Sequence, residues 1–289
     1  MVFLEKLSLF NINHLRKLYN RNEDAYICDK SFFDIYDKES FFLKYVIRKQ
    51  IKLFKVNNDY IGYIWYEYPS DEGYSNIYSI YLKEEYIDLL NSKLLSFFNI
   101  KTFRFDMVAS SKASSIMKKL NFNINSKNIL MKMRTSIFYR NNFDKKYFFK
   151  HFKEGQDEGL RCKIQNSVFN EKNRIPLTVD DVYREEEEDY YLRNYGVFIC
   201  NEYRQAVGYG QVIFNKGLYT IVNLGILKEY RHQGYGDALV KYLVGFCFKN
   251  SIKNIYIRVE KNNYQALNLY KKIGFEEYQS FITWSKNIN

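Results

Sequence analysis

The chain has 289 residues, 46% of them hydrophobic, a content typical of a globular protein rather than a disordered one. Its length favours two domains of ordinary size, each large enough to bury its own core. The formal net charge is +11, but the excess is shared about evenly between the two halves and forms no basic run. This distribution argues against nucleic-acid binding, although an overall positive field still favours anionic small molecules.

The cysteines and histidines indicate whether disulfides or a metal site are to be expected. Four cysteines lie far apart in the sequence and none belongs to a C-x-x-C pair: Cys28, Cys162, Cys200 and Cys247. With three histidines besides, this distribution predicts no metal site and favours reduced thiols. No stretch resembles a signal peptide, and no apolar run approaches the roughly 20 residues that span a bilayer. We therefore expect a soluble, cytoplasmic protein without a membrane partner.

The first half mixes strands and helices. Apolar spacing predicts two helices, one ending near Tyr19 and one ending at Arg48. Alternating apolar residues predict strands at residues 2–10, 51–56, 60–68, 77–82, 102–108 and 131–137. The hydrophilic segment 139–146 then reads as a connection, so we place a first domain at residues 1–138 and a second at residues 139–289.

The second half is predicted to begin with two helices. One starts at Asp157, and the other follows Pro176, where Thr178 and Asp181 have the spacing of a capping box variant. The second helix carries an acidic run, residues 185–189. This run is either a solvated helix face or a surface that attracts a cationic amine.

Strands are predicted again toward the C-terminus. Residues 196–201 and 206–214 form a hairpin in this interpretation, and the weakly alternating residues 277–286 form a closing strand. Residues 219–275, between this hairpin and the closing strand, are the most informative stretch of the chain.

That stretch begins with a buried strand, residues 219–227, and continues into a helix whose apolar residues run from Ala238 to Cys247. The segment between them reads Arg231-His232-Gln233-Gly234-Tyr235-Gly236. Glycines just before a helix let the backbone approach an anion, which the helix dipole also favours. The pattern therefore predicts a phosphate-binding turn.

Two familiar nucleotide motifs do not fit this turn. A dinucleotide fingerprint needs a third glycine where Leu239 stands, and a Walker loop needs a lysine directly after the last glycine. What remains, Arg-x-x-Gly-x-Gly between a strand and a helix, resembles the pyrophosphate-binding turn of the GNAT (Gcn5-related) N-acetyltransferases. The downstream strand at Ile255, Ile257 and Val259 strengthens the resemblance. It is followed by Asn263-x-x-Ala266-x-x-Leu269-Tyr270-x-Lys272-x-Gly274-Phe275.

The resemblance implies acetyl-CoA as cosubstrate, with no metal, and it assigns roles to residues. Backbone groups of Leu224, Gly225 and Ile226 would contact the acetyl and pantetheine end, and Asn263 the cofactor arm. The residues that would wrap the pyrophosphate are Arg231, His232, Gln233, Gly234, Tyr235, Gly236 and Asp237. Tyr270 would be the general acid that protonates the departing thiolate.

Three of these positions also have plain structural interpretations. Asn263 has the character of a helix N-cap and Gly274 of a C-cap, while Tyr270 is one of many aromatic residues in this chain. The sequence leaves these alternatives open.

The first half repeats parts of the second, which predicts a tandem duplication. The corresponding segments are 61–63 with 207–209, 77–86 with 222–230, and 117–122 with 270–275. The first copy has no glycine after Tyr86, and Met117 stands in the position of Tyr270. We therefore expect an α/β tandem GNAT fold, two mixed sheets each flanked by helices, with a degenerate first copy and the catalytic site in the second.

The general base is not identified by the sequence. Where family members carry a glutamate, this chain has Thr220 on one strand and Arg258 on the next, so Glu185 or Glu186 acting through water are alternatives. The missing glutamates favour a small-molecule primary amine over a protein as acceptor. The alternative to an enzyme is a non-catalytic acyl-CoA-binding or interaction module, and either is expected to be a monomer or a homodimer.

Overall fold

The computed structural model describes residues 2–22, 31–109, 111–135, 146–170 and 175–288. The chain folds as two compact units. Unit 1 consists of Met1–Asn128 together with Gln279–Asn289, and unit 2 consists of Ile129–Tyr278. Cys28, residues 139–145 of the predicted connection and the predicted boundary after residue 138 lie outside the described residues.

Unit 1 combines short helices with a mixed sheet. Its helices are α1 (Ile12–Tyr19), α2 (Phe32–Tyr36), α3 (Phe41–Arg48) and α4 (Ser111–Lys119). Its strands are β1 (Phe3–Lys6), β2 (Ile51–Val56), β3 (Asp59–Tyr66), β4 (Tyr74–Leu82), β5 (Thr102–Val108), the beginning of β6 (Asn123–Arg134) and most of the C-terminal β12 (Glu276–Asn287). The sheet order is β1-β2-β3-β4-β5-β12, and β4 and β5 are parallel.

Local chemistry explains why these elements begin and end where they do. Ser40 caps α3, because its hydroxyl accepts the Leu43 N–H. The predicted hairpin is confirmed as β2 and β3, and Asn57 adopts a left-handed conformation in its turn with φ of 51°. Helix α2 is not predicted by the sequence pattern, because its five residues are too few to display a helical period.

Unit 2 has a second mixed sheet with helices that the sequence largely predicts. Its strands are the rest of β6, β7 (Phe148–His151), β8 (Gly196–Cys200), β9 (Ala206–Asn215), β10 (Leu218–Ile226) and β11 (Asn254–Glu260). Its helices are α5 (Glu158–Val168), α6 (Val179–Glu186), α7 (Tyr235–Lys249) and α8 (Tyr264–Ile273). The sheet order is β6-β11-β10-β9-β8-β7, and the predicted capping box of Thr178 and Asp181 is confirmed at the start of α6.

The core of unit 2 forms where α7 meets the sheet. Leu239, Leu243 and Cys247 lie on the inward face of α7 and are fully buried against strand residues such as Ile255. Burial of these side chains is the main stabilising contribution that holds α7, and therefore its N-terminus, against β10. Within the described ranges, no helix has both the length and the apolar character needed to cross a membrane.

The strand predicted to close each half of the chain lies mainly in the other unit. Residues 131–137 were predicted to close the first copy, yet from Ile129 onward β6 belongs to unit 2, where the Thr135 N–H donates to the Lys253 carbonyl at 3.0 Å. The strand predicted at residues 277–286 exists as β12, but it pairs with β5 in unit 1, with Trp284 opposite Phe105. Alternation reveals a strand and one buried face, while the partner strand depends on the tertiary fold.

We predict that Trp284→Ala destabilises unit 1. Trp284 is 2% exposed within the unit 1 core beside Phe103 and Phe105, and removing a buried tryptophan side chain costs about 3–5 kcal/mol. Hydrogen exchange should show lost amide protection in β3–β5, and the exposed Tyr278→Ala serves as control. Lost protection confined to β8 and β9 would contradict the assignment of β12 to unit 1.

Candidate active site

A β-bulge opens the sheet of unit 2 in the middle of β10. Val222 lies opposite Gln211 of β9 and Gly225 lies opposite Tyr209, so the two residues between them face a single residue of the partner strand. Asn223 adopts φ of 56° in this bulge. On the other side of β10, the described residues pair with β11 only at Thr220–Tyr256 and Ile221–Ile257. The strands therefore part beyond Ile221, and backbone groups there are free to bind an extended ligand.

The glycine turn follows directly and ends in the N-terminus of α7. Gly234 has φ of 88° and precedes the first helical residue, and His232 also adopts a left-handed conformation with φ of 63°. Ala238 is the first residue whose N–H donates to a carbonyl of this turn, that of Gly234. The N–H groups of Tyr235, Gly236 and Asp237 are thus left for an external acceptor, and the helix dipole favours an anion there.

Side chains of the turn hold its shape instead of extending from it. Arg231 donates from Nε to the Ile226 carbonyl at 3.0 Å and from Nη2 to the Val168 carbonyl at 3.3 Å. Gln233 Nε2 donates to the Glu229 carbonyl at 2.8 Å, while the His232 side chain is exposed. Of these predicted ligand-binding residues, Arg231 and Gln233 therefore fix the backbone that would bind the anion.

Tyr147, which the sequence did not single out, also supports the turn. Its hydroxyl donates to the Gln233 carbonyl at 2.8 Å, and its ring packs edge-on against Tyr235 with centroids 5.0 Å apart. Any Cβ at Gly234 would collide with this hydroxyl. No sequence signal could have found Tyr147, because it is one of 28 tyrosines and lies far from the motif.

The glycines Gly225 and Gly236 differ in what their missing side chains allow. A Cβ at Gly225 would collide with Val168 of α5, so the packing of the protein itself requires this glycine. A Cβ at Gly236 would meet only ordinary contacts, the nearest being Leu269 Cδ2 at 3.5 Å. Nothing in the described structure requires a glycine at 236, and its absent side chain leaves the start of α7 accessible.

Asp237 and Asn263 have structural partners. The Asp237 carboxylate pairs with Lys241 one turn along α7, at 2.7 Å from Nζ, so its backbone N–H remains the group that suits an anion. The Asn263 Oδ1 accepts the Ala266 N–H at 3.1 Å and caps α8, which confirms the plain structural interpretation of this residue. Its Nδ2 remains as the group that can contact a ligand.

Tyr270 lies on α8 and is 7% exposed, with its ring centroid 6.0 Å from that of Phe275. Burial raises the pKa of its hydroxyl to about 12, so the hydroxyl keeps its proton at neutral pH. In the described part of the chain, no group hydrogen-bonds this hydroxyl. The preceding residue, Leu269, lies close to Gly236, so α8 packs beside the start of α7.

The acidic run 185–189 divides into two parts. Glu185 forms an ion pair with the fully buried Arg161, and Glu186 is half-buried. Burial, with the nearby Glu158 and Glu154 carboxylates, raises the pKa of Glu186. Residues 187–189 are exposed, as a solvated surface requires. Among the described residues, no group of three or more His, Cys, Asp or Glu side chains is placed to hold a metal ion.

Unit 1 has the bulge without the glycine turn. Its β4 shifts register against β3 at Tyr78, the position that aligns with Asn223. Two short 3-10 segments follow, Glu84–Leu89 and Ser92–Phe97, and Met117 is fully buried in the core. The first copy therefore lacks both the helix N-terminus and the hydroxyl that unit 2 provides.

Comparison with known proteins agrees with this geometry. Residues 166–275 match the family model described as Acetyltransferase (GNAT) family. N-alpha-acetyltransferase 50 of Danio rerio is 35% identical over 74 residues, which cover 25% of this chain and 44% of that protein. The chain thus spans less than half the length of this curated relative.

Solved structures show a similar fold over the full chain. A GCN5-related N-acetyltransferase from Sphaerobacter thermophilus has a TM-score of 0.67 at 13% identity, covering 100% of this chain and 96% of that one. A tandem GNAT protein from the clavulanic acid biosynthesis pathway has a TM-score of 0.54 at 8% identity, covering 83% and 82%. Residues 166–275 of this chain are thus similar to the GNAT family model, and the chain shares its α/β fold with solved GNAT proteins, one of them a tandem GNAT protein.

Proposed function

We propose that unit 2 transfers an acetyl group from acetyl-CoA to a primary amine of a small molecule. The observation that carries the proposal is a convergence at one edge of the sheet. The parted strands beyond Ile221 lead into the glycine turn and the free N–H groups at the start of α7, and α8, which carries Tyr270, packs beside that helix start through Leu269. Unit 1 then serves as a structural or substrate-shaping domain that binds no cofactor.

Each part of the edge suits one part of acetyl-CoA. The pyrophosphate would bind the N–H groups of Tyr235, Gly236 and Asp237, where the helix dipole also favours negative charge. The pantetheine amides would pair with backbone groups of residues 224–226, which have no partner strand on the β11 side. Asn263 Nδ2 would contact the cofactor arm, and the net charge of +11 favours capture of the anion.

The chemistry needs a proton for the departing sulfur. When the amine nitrogen bonds to the thioester carbon, the C–S bond breaks and CoA leaves as a thiolate that must be protonated. Tyr270 would supply that proton, because a pKa of about 12 keeps its hydroxyl protonated at neutral pH. The nitrogen of the product loses a proton in the same reaction, which restores Tyr270 directly or through water.

The choice of a small-molecule acceptor rests on the two strand positions without glutamate, Thr220 and Arg258. The name of the relative N-alpha-acetyltransferase 50 points instead to an α-amine. Thiol release should therefore be measured with small primary amines and with a short peptide that has a free N-terminus. Faster turnover of the peptide would assign the site to peptide N-termini and overturn the small-molecule part of the proposal.

We also propose a cytoplasmic location for the protein, as a monomer or homodimer. Three cysteines in the described residues, Cys162, Cys200 and Cys247, are buried and form no disulfide. Burial raises the pKa of Cys247 to about 12, which keeps its thiol protonated and unreactive. Reduced thiols of this kind fit a reducing compartment.

We predict that Gly236→Asp weakens acetyl-CoA binding without unfolding the protein. Its Cβ meets no close contact, and an acidic residue in a first helical turn is tolerated. A carboxylate about 4 Å from a phosphate repels it by about 1–4 kcal/mol at a partly exposed site, which lowers affinity roughly tenfold or more. Calorimetric titration measures the change.

Gly159→Asp is the matched control for this variant. Gly159 also lies in a first helical turn, that of α5, and its Cβ would meet nothing within 4 Å. This control should bind acetyl-CoA like the wild-type protein. An unchanged Kd for Gly236→Asp would contradict the placement of the pyrophosphate at α7.

We predict that Tyr270→Phe lowers kcat roughly 100-fold, the usual contribution of a general acid. Affinity for acetyl-CoA and the melting temperature should stay near wild-type values, because the described structure gives the hydroxyl no partner and phenylalanine retains the ring. Thiol release and calorimetry measure the two effects. Tyr264→Phe, on the same helix but 72% exposed, is the control.

This variant also separates the enzyme from the alternative, a non-catalytic acyl-CoA-binding or interaction module. In such a module Tyr270 would be a core aromatic residue only, and its substitution would change no measured property. Equal thiol release by wild type and Tyr270→Phe would exclude the role of Tyr270 as acid.

A further inference from the structure

Unit 2 contains a buried polar cluster that the chemistry above does not use. It consists of Arg161 and Gln165 on α5, Gln211 on β9 and Glu186 at the end of α6. Arg161, Gln165 and Gln211 are 0%, 2% and 0% exposed. In the described part of the chain, five buried atoms of this cluster have no hydrogen-bond partner: Arg161 Nε and Nη1, Gln165 Nε2, Gln211 Nε2 and Glu186 Oε1.

Such a concentration of unpartnered atoms is costly. A buried donor or acceptor without a partner costs about 1–3 kcal/mol, and native proteins contain few of them. The other nitrogen of the guanidinium is used, since Arg161 Nη2 pairs with Glu185. A molecule that supplies hydrogen-bonding groups at this place would recover the lost free energy.

The cluster lies beside the bulge of β10. Gln211 is directly opposite Val222, and Tyr209, whose ring centroid is 5.4 Å from the Arg161 guanidinium carbon, is directly opposite Gly225. Neighbouring strands are about 4.8 Å apart. The unpartnered groups therefore lie within reach of the residues predicted to contact the acetyl group.

Helix α5 connects the cluster to the same place. Its last residue, Val168, packs against Gly225, while Arg161 and Gln165 occupy one face of the helix four residues apart. The groups on α5 and β9 thus converge on one side of the sheet, next to the parted strands.

The charges around the cluster favour a cation. Glu186 interacts with the charges of Glu158 and Glu154 and, in the opposite sense, with those of Arg161 and Arg193. Glu185 adds a third neighbouring carboxylate through its ion pair with Arg161. Acids exceed cations, so a ligand with a net negative charge is repelled and an ammonium group is attracted.

The hydrogen-bonding groups favour oxygen atoms in the ligand. Four of the five unpartnered atoms are donor nitrogens, and one is a carboxylate oxygen. An amine without oxygen would satisfy the carboxylate alone. A free carboxylate on the ligand would satisfy the donors but add negative charge to an acidic surrounding. A neutral hydroxyl or carbonyl oxygen near the amine satisfies both requirements.

We propose that this cluster binds the acceptor and that the acceptor is a small cationic amine with a neutral hydroxyl or carbonyl oxygen beside the amine. Arg161, Gln165 and Gln211 donate to the oxygen atoms, and Glu186 faces the ammonium group. The proposal rests on the acetyltransferase function proposed above and names its substrate class and its base.

The protons balance in this arrangement. Glu186 takes one proton from the ammonium group and leaves a neutral amine, whose nitrogen then bonds to the thioester carbon. As the C–S bond breaks, Tyr270 protonates the sulfur and regains a proton from the product nitrogen. Glu186 releases its proton to solvent, so each turnover yields an amide, a thiol and one proton.

The first test compares ethanolamine with n-propylamine, which have similar size and differ in the hydroxyl oxygen. Wild-type protein should show a KM for ethanolamine roughly tenfold lower, the effect of one good hydrogen bond. Glycine, which carries a carboxylate, should be a poorer acceptor than glycinamide. Thiol release at saturating acetyl-CoA gives the constants.

Gln165→Met tests the cluster itself. Methionine fills similar space without a donor, so the variant should keep or raise the melting temperature because it removes an unpartnered amide. Its preference for ethanolamine over propylamine should fall, because one of the donors to the hydroxyl oxygen is lost, and this ratio cancels the intrinsic reactivity of the two amines. An unchanged preference would overturn the proposal, since Gln165 would then meet only buried water.

Glu186→Gln tests the base. It should lower kcat roughly 100-fold at unchanged acetyl-CoA affinity, whereas Glu187→Gln, at an exposed neighbouring position, should change neither. Equal kcat for wild type and Glu186→Gln would overturn the role of this carboxylate.

Two failures remain distinguishable. If acetyl-CoA binds but neither ethanolamine nor glycinamide raises thiol release above hydrolysis, the acceptor class proposed here is wrong and the cofactor site stands. If acetyl-CoA does not bind at all, the proposed function itself fails.

Discussion

The β-bulge in β10 is the constraint on which the rest of unit 2 depends. At Asn223, which adopts a left-handed conformation, β10 stays paired with β9 through a one-residue shift in register, and after Ile221 it no longer pairs with β11. The parted strands expose backbone groups that a closed sheet would satisfy internally. The same kink directs β10 into the glycine turn, so the free N–H groups of α7 follow the opening directly, and α8 with Tyr270 packs beside them through Leu269. Gly225 and Val222, on either side of the bulge, also border the buried polar cluster through their partners on β9.

The three glycines of this region have separate physical reasons, which a motif alone does not distinguish. Gly234 is required by its backbone conformation and by Tyr147, Gly225 by the packing of Val168, and Gly236 by nothing in the described protein. Only the last leaves room that a ligand alone uses. Unit 1 shows that a bulge and a glycine turn are separable features. It has a bulge at Tyr78, but the chain then continues into 3-10 segments without a glycine turn. A bulge therefore creates an opening in the sheet, and the helix N-terminus determines what can bind there.

Much of this structure follows from local patterns in the sequence. Periodicity predicts α5 to α8 and the hairpins, because each buries one regular face, and the turn motif predicts the start of α7. The bulge escapes prediction, since Asn223 carries no local signal that separates it from its neighbours in β10. The sequence also does not predict that most of β6 belongs to unit 2 and most of β12 to unit 1, because an alternating pattern does not identify the partner strand. Arg161 and Gln211 look like ordinary polar residues until the fold buries them together. Cofactor binding by Asn263 and Asp237 stays a prediction, and the side chains of both residues already have partners within the protein.

The central claim is that one acetyl-CoA binds per chain, in unit 2. Calorimetric titration of the wild-type protein, combined with hydrogen exchange in the free and bound states, tests it most directly. We expect one equivalent, with amide protection gained across residues 223–240 and none across residues 77–97. Two equivalents, or protection at residues 77–97, would show that unit 1 binds cofactor, and the absence of binding would show that unit 2 has no acetyl-CoA site.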